Sequence, residues 1–229
     1  MDRYIDGTYQ TNNPNWHQEE SPWKAQQVID VITRSGLQPA SICDVGCGAG
    51  EIIKILSQRL PGKISYAGYD VSPQAMALSA PRSAQNISFH LGAQPQKIKS
   101  FDLILGLDVI EHVEDYFGFL RELKTKARYK LLHIPLDLAV QRLFRISTLL
   151  DDIETVGHLH FFTKELALAA LKRTGYKLID VSYIAKRIDL CMGRKRARLL
   201  TLPRKMLFSM NPDLASRIFG GWSLSVLAE

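Results

Sequence analysis

Residues 41–50 read Ser-Ile-Cys-Asp-Val-Gly-Cys-Gly-Ala-Gly. A short apolar run ends in Asp44, opens into glycines at 46, 48 and 50, and continues as Glu51-Ile-Ile-Lys-Ile-Leu with helical spacing. That order predicts strand, glycine loop, helix. Glycine is needed where the backbone takes positive φ, or where a ligand lies against it with no Cβ between. The helix start beyond the loop offers unpaired N–H groups. In an open α/β sheet this is where a nucleotide-like ligand sits.

Spacing narrows the ligand. The dinucleotide fingerprint is G-x-G-x-x-G and the phosphate loop is G-x-x-x-x-G-K-[ST]; the chain has D-x-G-C-G-x-G instead. Glu51 enters the helix where a pyrophosphate would be repelled. S-adenosylmethionine carries no phosphate, and its cations and hydroxyls suit carboxylates and bare backbone. Lys63 to Asp70 reads as the next strand, ending in an acid of the kind that accepts ribose hydroxyls. Phe101 to Val113, FDLILGLDVIEHV, gives a buried strand running into Asp108, Glu111 and His112.

With these three motifs in this order, the chain resembles the class I S-adenosylmethionine-dependent methyltransferases. The match is to the small-molecule branch whose fourth strand ends in D-V-[IL]-E-H, and it spans residues 37–136. The resemblance implies an α/β fold: a Rossmann-like seven-stranded sheet, mostly parallel with an antiparallel last strand, helices on both faces. It implies S-adenosylmethionine as cofactor, bound by Asp44, Gly46, Cys47, Gly48, Gly50, Asp70, Val71, Gly92, Ala93, Gln94, Leu107 and Asp108. The amino-acid part is expected over Gly46 to Gly50, the ribose at Asp70 and the adenine near Gly92 to Gln94. A Rossmann-like domain with a different pocket is the competing reading, because a fold does not fix a function.

The 229 residues, 46% hydrophobic and 23% charged, fit one domain with decorations. The start of the chain has no apolar signal core, and no stretch reaches the ~18 apolar residues of a membrane span, so a cytoplasmic protein is expected. Cys43, Cys47 and Cys191 form no disulfide framework and no zinc set; the first two are expected to pack beside the loop as small apolar groups. Between Lys186 and Lys205 stand eight Lys and Arg against one Asp, more than the +6 of the whole chain.

The expected organisation is an N-terminal arm and helix over 1–36, a cofactor-binding core over 37–135, an acceptor-side insertion over 136–162, and a C-terminal part over 163–229 with a helix, the basic segment and the final strands. Ser21-Pro22 reads as cap and first turn of a helix carrying Ala25, Val28, Ile29 and Ile32. Trp16, His17 and Trp23 are candidate lid residues, with a plain surface arm as the alternative. Strands alternating with helices from Ile42 require parallel pairing, which gathers the carboxyl ends around one crevice. The insertion after Pro135 hangs over it, and residues 1–20 and 136–160 are expected to order with ligand.

Methyl transfer is an in-line displacement and needs a held, aligned acceptor. An oxygen or nitrogen acceptor must also lose a proton, which nominates His112, with His158 and His160 opposite, as catalytic candidates. A structural hydrogen bond is the alternative for each. A metal held by Asp108, Glu111, His112 and His160 is the rival use of the same residues; without a compact spacing such as H-E-x-x-H, no metal is expected. His90 and His133 read as buried strand residues. The basic stretch 186–208, interleaved with Leu and Phe, suits an anionic membrane surface, a solvated insertion being the bland reading. Nucleic acid is disfavoured as a partner, since no RNA-binding motif accompanies the charge. The leading expectation is a methyltransferase for a small acceptor, sugar, lipid-linked or quinone-like; the alternatives are an RNA methyltransferase or a non-catalytic S-adenosylmethionine-binding protein.

Overall fold

The computed structural model describes residues 2–93, 95–185 and 201–229. After α1 (Thr8–Asn12) and α2 (Ser21–Arg34), the chain alternates through β1 (Ser41–Val45), α3 (Glu51–Arg59), β2 (Ser65–Asp70), α4 (Pro73–Ser79), β3 (Ile87–Leu91), β4 (Phe101–Leu107), α5 (Tyr116–Lys124) and β5 (Ala127–Pro135). The insertion carries α6 (Val140–Leu143) and α7 (Ser147–Thr155). Then come α8 (Lys164–Arg173), β6 (Leu178–Ile184), α9 (Thr201–Met210), α10 (Pro212–Phe219) and β7 (Ser223–Ala228).

The seven strands lie in the order β3-β2-β1-β4-β5-β7-β6. β7 runs antiparallel to both β5 and β6, and the other pairs are parallel. The expected seven-stranded sheet with an antiparallel closing strand is what forms. Successive residues of a strand face opposite sides, and each side has its own helices. Cys43, Val45 and Ile104 pack with Phe119, Leu120 and Leu123 of α5 and Ala167 and Leu171 of α8. Ile42, Leu103 and Leu105 pack with Val28 and Ile32 of α2 and Ile53 and Leu56 of α3. Both faces being covered, β1, β4 and β7 are buried along most of their length, unlike the edge strands β3 and β6.

Local signals set the helix starts, with one correction. Ser72 accepts from the Ala75 amide and Thr163 from the Leu166 amide, as side-chain caps. Ser21 does not cap α2: a 3-10 turn over Gln18–Glu20 leads straight into it, and no side-chain cap bond forms. Strand order also corrects the reading of His90. β3 is the sheet edge, so His90 is exposed; it stacks on Tyr69 at 4.8 Å and meets Ser88 Oγ at 3.0 Å. His133, on the interior strand β5, is buried as expected. Residues 201–208 of the basic stretch belong to α9, a helix the charge run did not announce, and residues 186–200 lie outside the described residues.

The order reverses between β1 and β4, and an open sheet holds a crevice outside the carboxyl ends at such a switch point. Gly50 shapes its floor, with φ at +77° and an added Cβ 2.5 Å from the Phe89 ring. Gly50→Ala is expected to cost about 2–4 kcal/mol, combining left-handed strain with overpacking. Gly62→Ala, at φ +95° but with no atom within 4 Å, should lose only the strain part, about 1–2 kcal/mol. Urea denaturation of both variants measures the difference, and equal losses would contradict it.

Candidate active site

The glycine loop is fixed by β2. The amides of Gly46 and Cys47 both donate to the Tyr69 carbonyl, at 2.7 and 3.1 Å. Asp70, at the end of β2, accepts the Gly48 amide on one carboxylate oxygen at 2.8 Å and the Ser72 amide on the other at 2.9 Å. One buried carboxylate thus ties together two βα turns. Each of its oxygens keeps a second lone pair for a ligand hydroxyl.

Above the loop opens a cleft of about 790 Å³. Asp44, Gly46, Cys47, Gly48, Asp70, Val71, Ala93, Leu107 and Asp108 line it, nine of the twelve residues named from sequence. Gly92 is spent on the backbone, its amide donating to the Asp70 carbonyl at 2.7 Å. Gly50 forms the turn beneath, and Gln94 lies outside the described residues. Trp16 and His17 of the arm line the cleft, whereas Trp23 does not. The buried cysteines pack as apolar groups, and burial raises both thiols.

Charge is concentrated here. Asp44 is 1% exposed, its Oδ2 lacks a hydrogen-bond partner, and burial pushes its pKa up to about 7. Lys24 of α2 reaches in from the side, its Nζ 2.8 Å from Asp108 Oδ2 and 3.7 Å from Glu20 Oε2. Asp108 takes φ of 59°, a left-handed turn immediately after β4. Sequence reading missed Lys24, although a signal existed: it adjoins Ala25 and precedes Val28 by four, so it borders the buried stripe of its helix.

Glu111, His112 and His158 also line the cleft. Glu111 is fully buried, and neither oxygen has a hydrogen-bond partner on another described residue. Burial, then the charge of Asp108, raises its pKa well above the carboxylate range. The Glu111 carbonyl accepts the amides of Leu159 and His160 at 2.7 and 3.1 Å, which brings the insertion down onto the DVIEH segment. His112 Nδ1 lies 3.0 Å from the Gly157 carbonyl and 2.9 Å from the Tyr4 hydroxyl, which itself donates to the Val156 carbonyl. A carbonyl partner assigns the proton to Nδ1 and leaves Nε2 as an acceptor. Burial and neighbouring His158 lower the His112 pKa to about 4, so the ring is neutral at neutral pH. The two rings meet edge to face at 4.9 Å, and burial lowers His158 as well.

His160 is elsewhere. Its Nε2 meets the carbonyls of Val113 and Glu114 at 3.0 and 3.2 Å and its ring packs on Tyr116, so it pins the insertion outside the cleft lining. Arg142 gives the insertion an ionic core, bonding Asp137, Asp152 and the Thr148 carbonyl. Asp137 in turn faces His158 Nδ1 at 3.5 Å. The N-terminal arm clasps the same segment: Arg3 donates to the Ile153 carbonyl at 2.6 Å and Asn13 to the Thr155 carbonyl at 3.2 Å. Tyr4, Asp137 and Trp222, all lining residues, come from distant parts of the chain and left no sequence signal.

A family model described as a methyltransferase domain matches residues 16–181, and the chain belongs to that family. It is similar to ajmaline N-methyltransferase of Rauvolfia serpentina, 31% identical over 94 residues, covering 38% of this chain and 32% of the relative. Norajmaline N-methyltransferase of the same plant is 30% identical over 108 residues, 44% of this chain and 36% of the relative. The chain thus spans about a third of these curated relatives. The crystal structure of magnesium protoporphyrin IX methyltransferase from Synechocystis PCC 6803 with bound SAH shares the fold, with a TM-score of 0.60 and 16% identity over 96% of this chain and 85% of that one.

Asp44 yields a pH test. It ionises near 7 in the fold but near ~4 in the unfolded chain, so between those values the unfolded state sheds its proton first. The stability this group leaves intact below pH ~4 is lost as pH rises through 7. Asp44→Asn has no such proton to lose. Without ligand it is expected to match wild type near pH 4 and exceed it at pH 8 by on the order of 2–4 kcal/mol in chemical denaturation. A wild-type advantage at pH 8 would contradict the assignment.

Proposed function

We propose that the protein is an S-adenosylmethionine-dependent methyltransferase acting on a small-molecule acceptor. The observation that carries this reading is that one cleft is lined both by the glycine loop with Asp70 and by the cluster of Glu111, His112 and His158. The first set suits a cofactor and the second an acceptor. Asp70 accepts the ribose hydroxyls, Asp44 faces the ammonium group, and the bare backbone of Gly46 to Gly50 lies under the amino-acid part. Lys24, held by Asp108, meets the carboxylate. Ala93 and Leu107 flank the adenine side.

The acceptor's nucleophilic atom attacks the methyl carbon as the carbon–sulfur bond breaks, and S-adenosylhomocysteine leaves. His112 and His158 border the acceptor's polar end, while His160 anchors the segment that carries His158. Val109, Val113, Phe119 and Trp222 supply apolar walls, which favour an acceptor with an apolar body. The named N-methyltransferases among the relatives support small-molecule transfer without naming this acceptor.

An anionic membrane surface is the proposed source of such acceptors. Phe144 is 88% exposed and Leu143 52% on the insertion, and Leu202, Met206 and Met210 are exposed on α9. The two elements adjoin, Arg204 of α9 donating to Gln141 of α6 at 2.9 Å. Apolar groups beside Arg145, Arg204 and Lys205 have the composition of an interfacial surface.

Titration with S-adenosylhomocysteine tests the cofactor end. Asp70→Ala is expected to weaken binding by about 1.5–3 kcal/mol, with Asp70→Asn, which keeps the side-chain shape, in between. Unchanged affinity in both would reject the ribose assignment. His112→Ala and His158→Ala should keep cofactor affinity but lower kcat by about 10²–10⁴ in a methyl-transfer assay. For the surface, flotation with anionic vesicles should recover the wild type and lose most of a Phe144→Ser, Met206→Ser variant. Equal recovery of both proteins, or equal recovery on neutral vesicles, would contradict membrane docking.

A further inference from the structure

Glu111 poses the sharpest unanswered question in the molecule. A carboxyl group with no exposed surface and no hydrogen-bond partner on another described residue is costly whichever way it is protonated. It is not buried among apolar groups alone: one ligand atom each from Glu111, His112 and His158 lies within 4.8 Å of the others. Ligand atoms bound at ~2.1 Å in a tetrahedral site stand about 3.4 Å apart, so side-chain shifts of about an ångström close this set around one ion.

A second grouping, Asp137, Asp152 and His158, shares the same histidine. That one already holds its cation, because the Arg142 guanidinium bonds both carboxylates. Among the described residues no cation contacts the first grouping; Lys24 is engaged by Asp108 and Glu20, and its charge acts on Glu111 only from a distance. The imidazole of His112 is also oriented as metal-binding imidazoles are, Nδ1 against a backbone carbonyl and Nε2 left over, 3.9 Å from Glu111 Oε1. His158 Nδ1 makes no hydrogen bond among the described residues, though Asp137 Oδ2 faces it at 3.5 Å. The set differs from the one spacing suggested: Asp108 is drawn off by Lys24, and His160 is bound to backbone carbonyls.

We infer that Glu111, His112 and His158 form a binding site for one divalent transition-metal ion at the acceptor end of the cleft. Two imidazoles and one carboxylate suit ions of borderline hardness such as Mn²⁺ or Zn²⁺ better than Mg²⁺, which prefers oxygen ligands. Three protein ligands leave coordination positions open, and the cleft is the open side. Resting on the methyltransferase reading above, those positions would take an oxygen of the acceptor and fix it for in-line attack. The acceptor class is then one with an oxygen donor at or beside the methylated atom.

The test is calorimetric titration of EDTA-treated full-length protein with MnCl₂ and with ZnCl₂, paired with thermal melts. Wild type is expected to take up one ion per chain and to melt higher with it, with MgCl₂ much weaker. Glu111→Gln and His158→Ala should each lose at least about tenfold in metal affinity, while both still bind S-adenosylhomocysteine as wild type does. That second titration separates the two ideas, because the cofactor end does not use these residues. Wild type binding neither ion, or Glu111→Gln binding as well as wild type, would overturn the site, and Glu111 would then be a buried neutral acid.

Discussion

Burying a carboxylate costs several kcal/mol unless charge or hydrogen bonds answer it, and this protein gathers carboxylates at the carboxyl edge of its sheet. Asp44, Asp70, Asp108 and Glu111 all line one cleft, with Lys24 the one lysine among its described lining residues. Each is answered differently. Asp70 accepts two backbone amides, Asp108 pairs with Lys24, and Asp44 Oδ2 has no hydrogen-bond partner among the described residues, with the Lys24 charge acting on the group from a distance. The arrangement is stable enough to fold but electrically incomplete. A ligand bearing an ammonium and a sulfonium answers charge of this kind, and the proposed divalent ion would answer that of Glu111.

The sheet order makes this concentration unavoidable. β1 and β4 are neighbours at the switch point, so the segments leaving them, Gly46–Gly50 and Asp108–His112, diverge around a common space. α2 closes one side with Lys24 and the insertion closes the other with His158. The Glu111 carbonyl is the joint, receiving the amides of Leu159 and His160, and the arm is fastened through Tyr4 to His112. A charge-poor insertion would lack the hold that Arg142 has on Asp137 and Asp152, and with it the support behind His158.

What was legible in the sequence follows backbone rules. Gly46, Gly48 and Gly50 all take positive φ, and Asp70 sits at a strand end because the spacing of a βαβ unit puts it there. Groups whose role depends on which distant element packs beside them were not legible. Tyr4, Lys24 and Trp222 reach the cleft from the arm, α2 and the start of β7. His90 was taken for a core residue because alternation gives a strand but not its place in the sheet, and β3 proved to be the edge. His158 and His160 looked equivalent two residues apart; period two does send them the same way on a strand, but this segment is not one, and only His158 reaches the cleft.

The most direct measurement is a crystal structure of the protein with S-adenosylhomocysteine. The ribose hydroxyls are expected within hydrogen-bonding distance of Asp70, the homocysteine part over Gly46 to Gly50 with its ammonium toward Asp44, and the sulfur directed at His112 and His158. Ligand density at another site, or an empty cleft at saturating ligand with Asp70 still bonded to the Gly48 and Ser72 amides alone, would contradict the account.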